Sequence, residues 1–139
     1  MFPIGHQRVG IVTVVPVLDV DGNPVYDEAM VPETTDAVVW VDGCLFEIQT
    51  MPTGVGQFEQ QDVTTTTSET AFCFMPSVDG NVATVDDDDE PGVMAFTAIT
   101  SALRLRDFAT GRDYAMRGDA VFEVGKLPHV FARCERQTG

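Results

Sequence analysis

Short β-branched runs separated by turn signals constrain this chain more than any other feature of its sequence. Runs such as 9–17, 37–41 and 129–135 are rich in valine and aromatic residues, as strands are. Clusters of Gly, Pro, Asn and Asp interrupt these runs along the whole chain. The only weak helical pattern lies at 98–106. The sequence therefore predicts an all-β fold, a small antiparallel β-barrel with long loops and little or no helix.

The length of the chain fits one domain. It has 139 residues, of which 44% are hydrophobic, enough for a core without disulfides or metal. We predict a single barrel domain over residues 1–139, with an extended N-terminal segment at 1–8 and an acidic loop at 79–92. No internal repeat is apparent, and the three cysteines are predicted to be buried thiols.

The charge of the chain excludes several classes of partner. With 8 Lys+Arg against 22 Asp+Glu, the formal net charge is −14. Such a surface repels phosphate, which argues against binding to the nucleic-acid backbone and against docking on an anionic membrane. No apolar run reaches the roughly 20 residues that span a bilayer. The N-terminal residues lack the basic and apolar regions of a signal peptide.

The charges are distributed unevenly along the chain. Residues 1–103 contain one base, Arg8, and 17 acids, whereas residues 104–139 contain 7 bases and 5 acids. In a monomer, the basic C-terminal segment would pair with the acidic body. In an oligomer, opposite patches on neighbouring copies would favour head-to-tail contacts.

The residues with chemical potential form no recognisable catalytic or metal-binding motif. The segment 19–30 begins like a calcium loop, but its sixth position is Pro24 and its twelfth is Met30, so we predict a β-turn. The two histidines and three cysteines lack zinc spacing. No nucleophile elbow, phosphate-binding loop or dinucleotide fingerprint is present. We therefore expect no enzyme activity, no cofactor and no metal.

Several segments in a fixed order resemble a known family. They are Gly43–Cys44 after a valine-rich strand, 62–67 leading into 71–76, 111–120, 128–131 and 134–139. In that order they resemble the head-to-tail stopper, or head-closure, proteins of long-tailed phages that infect mycobacteria and related actinobacteria. The resemblance covers roughly residues 38–139. The acidic insertion at 86–92 departs from it, and the connection 125–127 is shorter than the family's.

The resemblance implies a structural role in the virion. Stopper subunits form a ring below the portal and adaptor rings, close the DNA-filled head and offer a surface to the tail terminator or tail tube. By this resemblance we expect a homo-oligomeric ring, with six copies favoured over twelve. DNA would pass through it without sequence-specific binding. The subunit would be assembled in the host cytoplasm and located in the virion, without a membrane.

Two sets of residues follow as candidates. The resemblance places a channel-gating loop at Gln49, Thr50, Met51, Thr53, Gly54, Val55, Gly56, Gln57, Phe58, Glu59 and Gln60; an ordinary surface loop is the alternative. Aromatic anchors and C-terminal bases give the candidate interface, Trp40, Arg104, Arg106, Arg112, Arg117, Phe131, Arg133 and Arg136.

Two other functions remain open from the residues alone. One is a soluble β-barrel module that binds a small ligand, or a divalent cation through the acidic run 86–90. The other is a hydrolase with paired carboxylates, although nothing in the sequence fixes two of them at a useful separation.

Overall fold

The computed structural model describes residues 3–52 and 67–138. Within these ranges the chain forms nine strands and a single turn of 3-10 helix at Phe96–Ala98. The strands are β1 Gln7–Pro16, β2 Thr34–Pro52, β3 Thr67–Pro76, β4 Asn81–Val85, β5 Pro91–Ala95, β6 Arg104–Asp107, β7 Asp113–Met116, β8 Val121–Glu123 and β9 His129–Thr138. The all-β prediction is confirmed. The weak candidate at 98–106 is not a helix, since β6 begins at Arg104.

Six strands close into an antiparallel ring, in agreement with the predicted barrel. Their order, β1-β6-β7-β9-β3-β2, was not predicted. The ring closes because β2 is 19 residues long and changes partner: its first half pairs with β1 and its second half with β3. The β4–β5 hairpin joins β2 through the pair Trp40 and Val85. β8 pairs with the beginning of β9.

A bulge at Asp42 and Gly43 separates the two halves of β2. The register with β1 shifts between Gln7 and Val9, so two residues of β2 oppose Arg8. Gly43 has a φ of 76°, which glycine adopts without steric cost. Its carbonyl accepts hydrogen bonds from the backbone N–H groups of Ile4 and Gly5, both at 2.9 Å. The bulge thus bends β2 and holds the N-terminal segment against it.

The core fills the ring with inward-facing residues from alternate positions of the strands. On β9 the inner residues Val130, Ala132 and Cys134 are buried, and the intervening residues lie on the outer face. All three cysteines are buried and free, which confirms the prediction of buried thiols. Burial raises the pKa of the Cys134 thiol to about 12. The pKa of the Cys73 thiol is also raised, mainly by its hydrogen bond with Cys44 and secondly by burial.

The chain between β1 and β2 is an ordered arm, residues 17–33, built from two copies of one turn. Each copy has an aspartate at its third position and a positive φ three residues after that aspartate, and it ends at a proline. The bridges Leu18–Pro24 and Tyr26–Pro32 close the two copies. The copies, 17–24 and 25–32, follow each other directly and share the pattern of valine, any residue, aspartate and a final proline. The prediction of no internal repeat is therefore wrong.

The same hydrogen bonds hold both turns of the arm. The Asp19 carboxylate accepts from the backbone N–H groups of Asp21 and Asn23, and the Asp27 carboxylate from those of Ala29 and Val31, all at 2.9 Å. Aspartate suits the first position of a type I turn because its side chain can make these bonds. The β-turn predicted after Asp19 is confirmed.

A third copy of this turn joins β4 to β5. The Asp86 carboxylate accepts from the N–H groups of Asp88 and Glu90 at 2.9 Å, and Val85 pairs with Pro91. The predicted acidic loop at 79–92 needs correction, because residues 81–85 form β4 and β5 begins at Pro91. Val82 and Thr84 of β4 are buried, and this packing stabilises the strand. The acidic run begins only after β4 ends, at Asp86.

The turns of the arm yield a stability prediction. Met30 has a φ of 62°, a conformation that favours glycine. Asp27→Ala should remove both side-chain hydrogen bonds, costing about 1 kcal/mol, and accelerate exchange of the Ala29 and Val31 amides five- to tenfold. Met30→Gly should slow that exchange because it relieves the strain. Hydrogen exchange measured by NMR tests both, with Glu28→Ala as the exposed control; unchanged exchange in Asp27→Ala would contradict this account.

Candidate assembly surfaces

The arm has more exposed large apolar side chains than any other described segment of comparable length. From residue 18 to residue 33 every side chain except Val25 is exposed. Its exposed large apolar side chains are Leu18 (53%), Val20 (101%), Tyr26 (51%), Met30 (75%) and Val31 (54%). Isolated exposed apolar residues need no explanation, but five within 14 residues form a surface that is typical of protein contact sites.

A closed set of backbone hydrogen bonds fixes the base of the arm. The N–H of Val17 donates to the carbonyl of Glu33 at 3.0 Å, that of Glu33 to Val25 at 2.8 Å, and that of Val25 to Val17 at 3.0 Å. Together with the two turns, these bonds order the arm without packing it on the ring. Because the arm loses little conformational entropy on binding, it is suited to present its apolar residues to another surface.

A second apolar surface lies on the outside of β3 and β9; we call it the outer aromatic face, comprising Phe72, Phe74, Phe131 and His129. Phe72 stacks on Phe131 with ring centroids 6.0 Å apart, and Phe74 lies 5.2 Å from Phe131 and 5.6 Å from His129. All four side chains are half-buried. Val121, which is 48% exposed, extends this face because it pairs with Phe131. The predicted interface residue Phe131 is thus at the centre of an apolar cluster.

Most of the predicted interface arginines pair within the chain. Arg106 forms a two-pronged ion pair with Asp113, at 2.6 and 3.0 Å, and Arg104 joins Asp36 at 2.7 Å. The Arg106 guanidinium holds the pKa of Asp113 below its usual range. The ion pair therefore stabilises the fold at pH values above 3.8, the ordinary pKa of an aspartate. This stabilisation is lost as the pH falls below 3.8 towards the lower pKa of Asp113 in the folded chain.

A second group of charges surrounds Glu69 on β3. This largely buried carboxylate accepts a 2.8 Å hydrogen bond from the Tyr114 hydroxyl and lies 3.4 Å from Arg136 and 3.6 Å from Arg112. Arg117 lies 3.6 Å from Glu135. Five of the six predicted interface arginines therefore contact carboxylates of their own chain. Four of these five reach the acidic body at Asp36 or Glu69, whereas Arg117 contacts Glu135 within the basic segment.

Two exposed cations differ from the others. Lys126 and Arg133 form no ion pair with a carboxylate among residues 3–52 and 67–138. Arg133 opposes Phe72 on the outer aromatic face, and Lys126 lies in the turn between β8 and β9 beside the exposed Val124 and Leu127. The same face also carries two exposed acids, Glu47 opposite Phe72 and Glu123 opposite His129, which form no ion pair among the described residues. The face therefore has no excess of positive charge.

The predicted interface residue Trp40 lies away from these two surfaces, on β2, where it pairs with Gly10 of β1. Its ring packs edge-on against Phe108 at 5.3 Å, and its Nε1–H donates to the Asp87 carboxylate at 3.3 Å. Arg8 covers Phe108 at 5.5 Å and pairs with Asp42. Trp40 is half-buried and is not part of the core cluster. Its role in an interface stays a prediction.

Gly10 makes room for the Trp40 ring. Gly10 pairs with Trp40, and a Cβ at this position would lie 2.9 Å from the indole and 2.8 Å from Val38. Gly10→Val should therefore displace the indole, red-shift the tryptophan fluorescence and cost about 1–3 kcal/mol. Urea unfolding followed by fluorescence measures both effects. Val14→Thr, on the exposed part of the same strand, is the control. An unshifted emission spectrum would contradict the arrangement.

No family model, curated protein or solved structure matches this chain. The resemblance to stopper proteins therefore remains an expectation from the sequence, and the function is argued from the surfaces described above.

The structure divides the predicted channel-gating loop. Gln49, Thr50 and Met51 do not lie in a loop; they belong to β2 and pair with Thr70, Glu69 and Ser68 of β3. The sequence predicted that the strand ends before Gln49, whereas β2 continues to Pro52. The remaining candidates, Thr53, Gly54, Val55, Gly56, Gln57, Phe58, Glu59 and Gln60, lie outside the described residues.

The alternative sites gain no geometric support. Among residues 3–52 and 67–138, no group of three or more His, Cys, Asp or Glu side chains is arranged to hold a metal ion. In the acidic turn, one Asp86 oxygen is already occupied by two backbone N–H groups. No helix in the described chain is long and apolar enough to cross a bilayer.

The sequence analysis missed the arm as a candidate surface. A signal for it exists in the repeat of Val17, Asp19 and Pro24 eight residues later as Val25, Asp27 and Pro32. The repeat was hidden because glycine occupies the positive-φ position in the first copy and methionine in the second.

Proposed function

We propose that this chain is a structural subunit of the neck of a long-tailed phage virion, a head-to-tail stopper that acts by assembly and catalyses no reaction. The observation that supports this proposal best is the ordered, exposed arm. A monomeric enzyme or ligand-binding barrel gains nothing from five exposed apolar side chains on a projecting segment. A subunit of an assembly buries such residues against a neighbour.

The charge of the molecule also suits a ring around DNA. The net charge is −14, and six of the eight bases are already paired with acids of the same chain. The surface left over is therefore strongly acidic and repels phosphate. A channel lined by such a surface would let DNA pass with little adhesion.

The partners of the proposed subunit follow from the resemblance. The ring would contain six copies, with twelve as the other number considered. It would contact the adaptor or portal ring on one side and the tail terminator or tail tube on the other. Residues 53–60 would form the channel gate. The subunit would be assembled in the host cytoplasm and remain in the virion.

Deleting the gene from its phage tests this function. We expect DNA-filled heads without attached tails, and free tails, in electron micrographs of the lysate. Supplying the wild-type chain, or the surface variant Val93→Ser outside the arm, should restore tailed particles. Cryo-electron microscopy of those particles should locate the chain at the neck. Tailed, infectious particles formed without the chain would refute the proposal.

A further inference from the structure

We propose that the arm docks in an apolar groove bordered by lysine or arginine on a different protein, not on a second copy of this chain. This contact rests on the proposed function as an assembling subunit. Three features of the described residues support such a partner: the position of the arm, its combination of apolar and acidic side chains, and the scarcity of unpaired bases elsewhere on the chain.

The arm is connected to the ring by a short two-stranded ribbon. Val12 is the last residue of β1 that pairs with β6. Beyond it, residues 13–16 of β1 and 34–37 of β2 pair with each other and with no other strand of the described chain. The backbone hydrogen bonds at the base of the arm keep it ordered, so a partner can contact its exposed side chains at a small cost in conformational entropy.

The arm combines exposed apolar side chains with acids that have no counter-charge. Its five large exposed apolar residues include Leu18 and Met30. It also contains five acids and no base, and none of these acids forms an ion pair with a described residue. A partner that buries the apolar residues therefore meets acids around them, and bases at the rim of its groove would complement these acids. The five acids are Asp19, Asp21, Asp27, Glu28 and Glu33.

A second copy of the chain lacks the matching positive charge. Six of its eight bases contact carboxylates of the same chain, which leaves Lys126 and Arg133 unpaired within the described ranges. Arg133 shares its face with the exposed acids Glu47 and Glu123. Among the ion pairs of the described chain, bases outnumber acids only at Glu69, by two to one. Two copies with a net charge of −14 each also repel one another, so the chemistry of the arm favours a different, basic protein.

This choice of partner defines what the arm does in the proposed assembly. An arm that is repelled by copies of its own chain joins one component to another and does not close the ring. The same like-charge repulsion excludes the wrong partner, which is how many specific interfaces discriminate. In the neck, the arm would therefore hold the ring to one of its two flanking components.

Nitrogen-15 NMR of the whole chain tests the chemistry of this contact. The probe is an amphipathic peptide of about 14 leucine and lysine residues, which presents an apolar stripe between bases. We expect the amide signals of the arm to shift with a Kd below about 1 mM. The acidic turn 86–90 is the internal control, because it also contains five acids but no large apolar side chain. Its affinity for the peptide should be at least about tenfold weaker.

A first pair of variants measures the apolar part of the contact. Leu18→Ser with Met30→Ser should weaken binding of the peptide at least about tenfold, because both side chains would be buried in the complex. Val93→Ser, an exposed apolar position of β5 outside the arm, is the matched control and should not change the affinity. Equal melting temperatures show that these exposed substitutions leave the fold intact.

A second pair of variants measures the charged part. Asp21→Asn with Glu28→Gln should weaken binding about three- to tenfold; these carboxylates are chosen because Asp19 and Asp27, not they, hold the turns. Removing the same charge from the acidic turn, by Asp88→Asn with Glu90→Gln, should leave the affinity of the arm unchanged. A peptide with glutamate in place of lysine should leave the arm signals unshifted.

Other results of the titration would overturn the inference. Arm signals that move when the chain alone is concentrated from about 50 μM to about 1 mM would mean that a second copy covers the arm. Equal affinity of the arm and the acidic turn would reduce the effect to charge alone. An arm that does not respond to the lysine peptide would exclude the contact.

Photo-crosslinking in particles tests the identity of the partner. Chain with Tyr26→p-benzoylphenylalanine on the arm, or Val93→p-benzoylphenylalanine as the control, is added to the tailless heads and free tails of the deletion lysate. In the tailed particles that form, we expect the arm probe to crosslink a different protein, at an apolar segment bordered by lysine or arginine. The control probe should not crosslink that segment.

The outcomes in particles separate this inference from the neck proposal. Tailed particles in which the arm crosslinks another copy, an acidic segment or nothing would overturn the inference and leave the neck proposal intact. If the wild-type chain restores no tailed particles, the neck proposal fails, and the NMR titration still decides whether the arm binds a basic, apolar surface.

Discussion

Replacing Tyr114 with alanine is expected to lower the free energy of unfolding by about 3–5 kcal/mol, the range for deleting a large buried aromatic side chain. Tyr114 is fully buried at the centre of the ring. Its ring packs edge-on against Phe46 with centroids 5.3 Å apart, and its hydroxyl donates to Glu69 at 2.8 Å. The substitution removes the packing and leaves a cavity where strands β2, β3 and β7 meet.

Two further variants divide this effect into its parts. Tyr114→Phe keeps the packing and loses the hydrogen bond to Glu69, which should cost about 1–2 kcal/mol because Arg112 and Arg136 still contact that carboxylate. Tyr26→Ala changes the exposed tyrosine of the arm and should change stability by less than about 0.5 kcal/mol. Urea unfolding followed by circular dichroism measures all three. A loss below about 1 kcal/mol for Tyr114→Ala would contradict the central position of this residue.

The strands could be predicted from the sequence where a single physical signal was sufficient. On β9, Val130 and Ala132 alternate with Phe131 and Arg133, and this period of two determines which face is buried. The turn at Gly111 between β6 and β7 follows in the same way from local residue type, since Gly111 has a φ of 74°. Both features depend only on neighbours in sequence.

The surfaces could not be predicted because they depend on which strands meet. The run Ala71–Phe72–Cys73–Phe74–Met75 is apolar at every position, so its periodicity indicates burial on both sides. The structure buries Ala71, Cys73 and Met75 and leaves the phenylalanines on the outer face. Similarly, the pairing of Arg136 with Glu69 requires β9 to lie beside β3. Counting charges along the chain shows that bases exceed acids in residues 104–139, but it does not show which carboxylate each base contacts.

Raising the pH is expected to unfold the chain between about pH 9 and pH 12. Burial raises the pKa of Cys134 from 9.0 to about 12, and burial with the Glu69 hydrogen bond raises that of Tyr114 from 10.0 to about 12. The folded state therefore holds these protons more tightly than the unfolded chain. Their contribution is complete below the ordinary pKa values and is lost as the pH rises towards 12.

The expected loss is large compared with the stability of a domain. A difference of one pKa unit corresponds to about 1.4 kcal/mol, so the raised pKa values of Cys134 and Tyr114 together correspond to several kcal/mol. Domains of this size are stable by about 5–15 kcal/mol. Urea unfolding at intervals from pH 7 to pH 11 should show the free energy of unfolding falling ever more steeply above pH 9.

Removing one titrating group at a time identifies the source of this slope. Above pH 10, each proton lost only by the unfolded chain contributes about 1.4 kcal/mol per pH unit. Cys134→Ala and Tyr114→Phe should each reduce the slope by that amount, even though both variants are less stable at pH 7. Val93→Ser, an exposed substitution that removes no titrating group, should leave the slope unchanged. If both core variants kept the wild-type slope, neither Cys134 nor Tyr114 would be the source of the alkaline transition, which would then have to come from other groups such as the buried Cys73.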